Sequence, residues 1–137
     1  MPELLAGKTA LILGVANKWS LAYAIAQAFR REGAKLLLTY QGERQKETVT
    51  DLGSELGAAA IFECDVTREE DLTKLAETVR QHGRLDALVH SIAFANREDL
   101  TKPFVETSRA GFLLAQDVSA YSLVSTARTV VSFVDLA

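Results

Sequence analysis

The chain has 137 residues, of which 48% are hydrophobic and 24% are charged, which is enough sequence for one domain with its own hydrophobic core. Its formal net charge of −3 provides no basic field, so neither nucleic acid nor a membrane surface is an expected partner. The single cysteine excludes an intrachain disulfide, no spacing of ligands suggests a metal, and no signal-peptide pattern is present, so a cytoplasmic protein is expected.

Four short strand-like runs alternate with three helical segments. The strands are predicted at residues 9–13, 36–40, 60–63 and 87–91. The helices begin near Ser20, Glu43 and Thr67, and each one ends at a glycine, namely Gly33, Gly57 and Gly83. Residues 67–70 also have the spacing of a capping box. Short connections between alternating strands and helices predict an α/β fold, a doubly wound parallel sheet with helices on both faces.

The last third of the sequence has a different pattern. Residues 93–107 contain charges and a proline and predict a loop or a broken helix, whereas residues 108–137 are compatible with an almost continuous helix. Apolar positions go round much of this helix, which predicts a second burial surface besides the sheet. A membrane span is disfavoured, because Asp117, Arg128 and Asp135 would each be costly inside a bilayer.

A candidate nucleotide site lies where the predicted strands end. In the stretch GVANKWSLAYAIA, Gly14 follows the first strand and Ser20 opens a helix whose free N–H groups suit a pyrophosphate. Taken alone, this turn also fits an ordinary strand-to-helix connection. Asp65 follows the third strand and can accept a hydrogen bond from an adenine amino group, while the small residues after His90 permit close approach of a ligand. Three strand ends at one crevice predict a Rossmann-like, single dinucleotide-binding domain over residues 1–137.

Five motifs carry a family resemblance: GVANKWSLAYAIAQA at the first turn, LLLTYQ, CDV, HSIAFA and DVSAYSLV. They resemble the bacterial enoyl-acyl carrier protein reductases of fatty acid synthesis, a divergent branch of the short-chain dehydrogenase/reductases. The first turn of that branch has one glycine followed by a serine, as here, instead of the common glycine-rich form. HSIAFA stands in place of the Asn-Asn-Ala-Gly of other members of the superfamily, and it discriminates most sharply between them.

The resemblance implies cofactor and substrate contacts at the matching positions. These are Gly14, Ser20 and Leu21 at the pyrophosphate, Gln41 at the adenosine ribose, Asp65 and Val66 at the adenine, Ile92 at the nicotinamide ribose and Ala95 at the acyl substrate. A neutral glutamine at the end of the second strand, in place of a carboxylate, favours NADH. Arg44 and Lys46 lie close enough in sequence to receive a 2′-phosphate, so NADPH stays an alternative.

The resemblance also implies a reaction, in which hydride goes from NADH to the β-carbon of a trans-2-enoyl thioester linked to acyl carrier protein. The family's tyrosine and lysine would lie beyond residue 137, so this chain is expected to contain no catalytic residue and to be inactive alone. Tyr121 and Arg128 have the spacing of that pair, but DVSAYSLV matches an earlier helix and arginine does not titrate readily, so Tyr121 is expected to pack. Two alternatives stay open: a non-catalytic dinucleotide-binding or assembly module, and a carbonyl reductase of the same superfamily.

Further expectations concern assembly and the two histidines. By analogy the strand order is 3-2-1-4, which places the fourth strand at an edge, and the helix at 108–137 resembles a subunit-interface element of a homotetramer. Self-association is therefore expected. His82 is expected in solvent near a helix end, where a positive charge suits the dipole, and His90 is expected to be a hydrogen-bonded structural imidazole.

Overall fold

Four parallel strands form the centre of the chain in a computed structural model that describes residues 3–133. They are β1 (Thr9–Leu13), β2 (Lys35–Tyr40), β3 (Ala60–Glu63) and β4 (Ala87–His90). The sheet order is β3-β2-β1-β4, and all three neighbouring pairs are parallel. The predicted order is confirmed, and every strand lies within one residue of its predicted bounds. Both β3 and β4 are edges of the sheet that the described residues form.

Helices follow each of the first three strands, and three more lie in the part of the described chain after β4. They are α1 (Leu21–Arg31), α2 (Glu43–Glu55), α3 (Glu69–Gln81), α4 (Arg97–Thr101), α5 (Arg109–Gln116) and α6 (Ser122–Val130). A π-helical segment, Asp117–Tyr121, joins α5 to α6, and a 3₁₀ turn at Val131–Phe133 extends α6. Residues 109–133 are thus continuously helical as predicted, and we call them the C-terminal helical segment. The last residues of that prediction, 134–137, lie outside the described part.

Both faces of the sheet are covered, because successive side chains of a strand point to opposite faces. On one face Ile12, Leu36 and Leu38 pack against α1 and α2, whereas on the other Leu11 and Leu37 pack against α3 and α6. All five side chains are at most 1% exposed, and each contributes about 1.5 to 3 kcal/mol of burial free energy. The doubly wound α/β fold predicted from the sequence is confirmed.

The helix ends agree with the prediction at their glycines and disagree at one start. Gly33, Gly57 and Gly83 all have left-handed backbone at the helix ends. However, α3 begins at Glu69, with Arg68 as its N-cap residue and no capping side chain. The predicted capping box at residues 67–70 is wrong, because the Thr67 hydroxyl donates to a carboxylate of the preceding loop instead of capping the helix.

The C-terminal helical segment leaves much of its apolar surface exposed. Its buried side, which includes Val118, Thr126 and Val130, faces the sheet and α3. Large apolar residues that remain 38 to 60% exposed are Phe112, Leu113, Leu114, Tyr121, Leu123, Val124 and Val131. The described chain therefore does not cover the second apolar surface that the sequence predicts, and Tyr121, expected to pack, is about half exposed. No helix within residues 3–133 is long and apolar enough to cross a membrane.

Candidate functional site

A cavity of about 140 Å³ opens where the four strands end. Each strand, or the loop that follows it, contributes one predicted cofactor contact to its wall: Gly14 after β1, Gln41 after β2, Val66 after β3 and Ile92 after β4. The carboxyl ends of parallel strands meet at this edge, which is where open α/β sheets bind ligands. The fold thus brings together four residues that are up to 78 positions apart in the sequence.

Gly14 is required by the close approach of two strand ends. Its φ angle is +96°, and a Cβ atom at this position would overlap the carbonyl oxygen of Ser91, the first residue after β4. A left-handed backbone and the absence of a side chain are both needed here.

The turn between β1 and α1 satisfies its own polar groups. The Ser20 hydroxyl donates to the Asn17 carbonyl oxygen at 2.7 Å, and the Trp19 N–H donates to the Asn17 side-chain oxygen at 2.8 Å. Ser20 occupies the N-cap position of α1 as predicted, but its side chain caps no N–H of the helix. The Tyr23 N–H donates to the Ser20 carbonyl oxygen at 3.1 Å, so the N–H groups of Leu21 and Ala22 remain available to an anion. Ser20 and Leu21 lie outside the cavity wall, and Leu21 is 77% exposed.

A second depression adjoins the cavity beyond the end of β2. Gln41 and Arg44 line it together with two acidic residues, Glu63 and Asp65. The predicted phosphate ligand Lys46 does not line it, since its ammonium group lies 3.7 Å from a glutamate of its own helix. Gln45 also lines it, so the depression presents two neutral amides, one cation and two carboxylates to a ligand.

The loop between β3 and α3 is locked by side chains close in sequence. One carboxylate oxygen of Asp65 accepts from the Thr67 N–H at 2.9 Å and from the Thr67 hydroxyl at 2.6 Å. The Asp65 N–H in turn donates to the carboxylate of Asp71 at 2.8 Å. Asp71 is only 6% exposed and lies in the first turn of α3, where the helix dipole favours a negative charge. Asp65 reaches the second depression but not the main cavity wall.

Asp71 is not among the site residues predicted from the sequence. The informative signal was an aspartate at the third helical position, from which a carboxylate can reach back to a backbone N–H before the helix. The sequence instead assigned this role to the neighbouring pair at 67 and 70. Val118, which is 7% exposed and lines the cavity from the C-terminal helical segment, was also missed.

Cys64 lies in the cavity wall but is not a nucleophile. Its side chain is 4% exposed, and burial raises the pKa of the thiol to about 12, helped by the charges of Asp71 and Asp65. The thiol therefore stays protonated at neutral pH, and a protonated thiol is unreactive. Cys64 is part of the hydrophobic core on the face of the sheet that packs against α3 and α6.

His90 ends β4 and is tied to the C-terminal helical segment. Its Nε2 atom lies 2.7 Å from the Ser122 hydroxyl, which donates to the Val118 carbonyl oxygen at 2.6 Å. Burial lowers the pKa of His90, so the imidazole is neutral at pH 7. The expected hydrogen-bonded structural imidazole is confirmed.

His82 differs from its prediction. It follows α3 as the C-cap residue, and partial burial together with the nearby Lys35 ammonium lowers the pKa of the imidazole. A lowered pKa disfavours the positive charge that the helix end would attract, so the expected charge-dipole interaction is not what governs this histidine.

Residues 91–96 continue from β4 across the mouth of the cavity without regular secondary structure. The Phe94 N–H donates to the Ser119 hydroxyl at 2.9 Å, and that hydroxyl donates to the Phe94 carbonyl oxygen at 3.0 Å. Ala95, the predicted substrate contact, is the next residue and lies outside the cavity wall. Across residues 3–133 no three His, Cys, Asp or Glu side chains are grouped closely enough to hold a metal ion.

Comparison with known proteins gives a consistent set of relatives. The model of the enoyl-(acyl carrier protein) reductase family matches residues 14–135. The NADH-dependent enoyl-[acyl-carrier-protein] reductase FabI of Bacillus cereus is 49% identical over 129 residues, which is 92% of this chain and 50% of that protein. The NADPH-dependent FabI of Staphylococcus aureus is 44% identical over 126 residues, 90% of this chain and 49% of that protein.

A solved structure agrees with these relatives. The enoyl-[acyl-carrier-protein] reductase (NADH) of Aquifex aeolicus has a TM-score of 0.93 at 40% identity, over 97% of this chain and 53% of that one. The chain spans about half the length of the curated relatives it matches.

Proposed function

The chain belongs to the enoyl-(acyl carrier protein) reductase family, because the family model matches residues 14–135, and from this premise we propose that it is the dinucleotide-binding domain of an enoyl-acyl carrier protein reductase of fatty acid synthesis. The observation that carries the proposal is the single cavity at the strand ends, whose wall includes Gly14, Gln41, Val66 and Ile92. Each comes from a different strand end, as a long ligand lying across the sheet edge requires.

The proposed cofactor lies with its adenosine toward β2 and β3 and its nicotinamide toward β4. The uncapped N–H groups of α1, after Ser20 and at Leu21, suit its pyrophosphate, since they carry the positive end of the helix dipole. Asp65 and Val66 receive the adenine, and Ile92 lies beside the nicotinamide ribose. The apolar side chains of Ile92 and Val118 would keep water from that end of the cavity.

NADH is the favoured cofactor. A 2′-phosphate beside Gln41 would approach the carboxylates of Glu63 and Asp65 as well as the guanidinium of Arg44, so repulsion offsets attraction. Lys46, paired within its own helix, adds no cation to the depression. Relatives of both cofactor types occur, so membership of the family does not by itself decide between NADH and NADPH.

When bound, the reduced nicotinamide would supply a hydride to the β-carbon of a trans-2-enoyl thioester, and the resulting enolate would take a proton at the α-carbon. The substrate is linked to acyl carrier protein and would lie near Ala95. We assign no residue of this chain as the proton donor. Tyr121 is about half exposed and lines a groove between α3 and the C-terminal helical segment, outside the main cavity, which supports a donor elsewhere in the protein.

The exposed apolar side of the C-terminal helical segment supports the further proposal of a homotetramer in the cytoplasm. Seven large apolar side chains lie at least 38% exposed there, a surface that favours contact with another subunit. The sheet edge at β4 would gain partners from the remainder of the protein in the same assembly.

The proposal is tested by turnover in the natural polypeptide that carries this chain, with oxidation of NADH followed by absorbance and crotonyl-acyl carrier protein as substrate. We expect reduction of the enoyl thioester with at least a tenfold preference for NADH over NADPH, about 1.4 kcal/mol. Cofactor binding without turnover would instead support the assembly module. Faster reduction of a 3-ketoacyl thioester would support the carbonyl reductase.

A variant of Asp65 tests the assignment of this residue to the adenine. Asp65→Ala should weaken NADH binding by about 1 to 3 kcal/mol, or about 5- to 150-fold in Kd, because a buried hydrogen bond to the adenine amino group is lost. Thr67→Val is the control, since it removes the hydroxyl that binds Asp65 and leaves the carboxylate in place. Equal affinities for Asp65→Ala and the control would remove the adenine assignment.

A further inference from the structure

The loop at residues 91–96 is held by hydrogen bonds from the C-terminal helical segment. Because these residues have no regular secondary structure, their backbone groups lack the ladder that fixes β4 itself. At Phe94 both backbone groups are satisfied by one side chain, the hydroxyl of Ser119, which accepts at 2.9 Å and donates at 3.0 Å. A hydroxyl can do both at once, and two bonds to one residue fix the rotation of its peptides as well as their position.

Ser119 lies in the π-helical segment between α5 and α6, where one extra residue per turn changes the direction of the side chains. Two residues close to Ser119 also contact the carboxyl end of the sheet. Val118 lines the cavity, and Ser122, the first residue of α6, hydrogen-bonds His90. The helix therefore holds the chain at His90 and again at Phe94, and the cavity wall at residues 91–93 lies between these two tethers.

We propose that Ser119 is a positioning residue, which holds Phe94 and through it Ala95 at the substrate end of the cavity. The inference rests on the proposed function in assigning that end to the enoyl substrate. The side chain of Phe94 is 47% exposed, so packing alone does not fix this loop. Ser119 touches neither the adenine loop nor the β1 turn in any hydrogen bond of the described chain.

The test compares Ser119→Ala with Ser125→Ala in the natural polypeptide. Ser125 is a matched control because it is a half-buried serine of the same helical segment, and its hydroxyl donates only to the Ser122 carbonyl oxygen of its own helix at 3.1 Å. For Ser119→Ala we expect kcat/KM for the enoyl thioester to fall about tenfold, with the Kd of NADH changed less than about threefold. Ser119→Thr keeps the hydroxyl and should restore most of the loss.

Amide hydrogen exchange at Phe94 gives a second readout that does not depend on turnover. Exchange should accelerate about tenfold in Ser119→Ala and stay unchanged in Ser125→Ala, because only the first variant removes the acceptor of the Phe94 N–H. Unchanged exchange and kcat/KM, or an equal loss in both variants, would overturn the inference. If the parent protein reduces no enoyl thioester, the proposed function fails, and accelerated exchange in Ser119→Ala alone would still support the positioning role.

Discussion

The two ends of the cavity are built in different ways. At the adenine end the loop after β3 is fixed by hydrogen bonds between residues two and six positions apart. At the nicotinamide end the loop after β4 is fixed by hydrogen bonds between residues 25 and 32 positions apart. The first end can form as soon as α3 forms, whereas the second requires the C-terminal helical segment to dock on the sheet. In the proposed site, the adenine and the substrate would thus be held by loops that are fixed in different ways.

The long-range end also borders an exposed surface. The helical segment that supplies Ser119 and Ser122 also exposes Phe112, Leu113 and Leu123. Any subunit that covers those apolar residues contacts the same helix that holds the loop at residues 91–96. In the proposed tetramer, that contact would lie on the helix that holds the loop at residues 91–96.

The largest predicted effect comes from Gly14→Ala, which disrupts the contact between the turn after β1 and the loop after β4. An added Cβ would overlap the Ser91 carbonyl oxygen, and alanine is strained at a φ of +96°. We expect a loss of about 2 to 4 kcal/mol in the free energy of unfolding, measured in urea, and no measurable NADH binding. Gly42→Ala is the control, because its φ of −159° is extended and a Cβ there meets nothing within 4 Å. Equal stability of the two variants would show that the strand ends can separate.

This difference between local and long-range contacts also explains what the sequence could predict. The four strands were found because buried apolar runs and terminal glycines are local signals, and Gly14 because it directly follows a strand. The tether from Ser119 to Phe94 could not be found, since no local rule gives the direction of a serine in a long helix. The local bond from the Asp65 N–H to Asp71 was not predicted either, because three acidic residues begin α3 and the sequence does not show which carboxylate turns back to the loop.

The next prediction tests whether the adenine end is independent. Asp71→Ala leaves the half-buried Asp65 N–H without its acceptor, and it should weaken NADH binding by about 1 to 3 kcal/mol. Binding of reduced nicotinamide mononucleotide, which lacks the adenosine, should be unaffected when measured by calorimetry. Asp71→Asn keeps an acceptor oxygen and should recover part of the loss.

The matched control for Asp71 is its neighbour Glu70. Glu70 also lies in the first turn of α3, but its side chain is 79% exposed and lies 3.6 Å from Arg68 in a surface ion pair. Because such pairs contribute only about 0 to 1 kcal/mol, Glu70→Ala should bind NADH almost normally. If Asp71→Ala weakened the binding of NADH and of reduced nicotinamide mononucleotide equally, the two ends of the cavity would be coupled.

The smallest predicted effect is an alkaline loss of stability that arises at the adenine end alone. Folding raises the pKa of Cys64 from an ordinary 9.0 to about 12, through burial first and then through Asp71 and Asp65. Above pH 9 the unfolded thiol releases its proton while the folded thiol keeps it, so the unfolded state gains stability as pH rises. Between pH 7 and pH 10 the free energy of unfolding should fall by roughly 1.4 kcal/mol more in the parent protein than in Cys64→Ala.

Comparing pH slopes removes the constant cost of the Cys64→Ala cavity, which is the same at both pH values. Asp71→Asn refines the test, because it removes the second cause of the raised pKa while the first, burial, remains. The fall in its free energy of unfolding with rising pH should therefore lie between the falls of the parent protein and of Cys64→Ala. His90, at the other end, has a lowered pKa and so loses stability only as pH falls below its ordinary range, which keeps it out of the alkaline window. Parallel slopes for all three proteins would show that the Cys64 thiol is open to solvent, and with it the adenine end of the cavity.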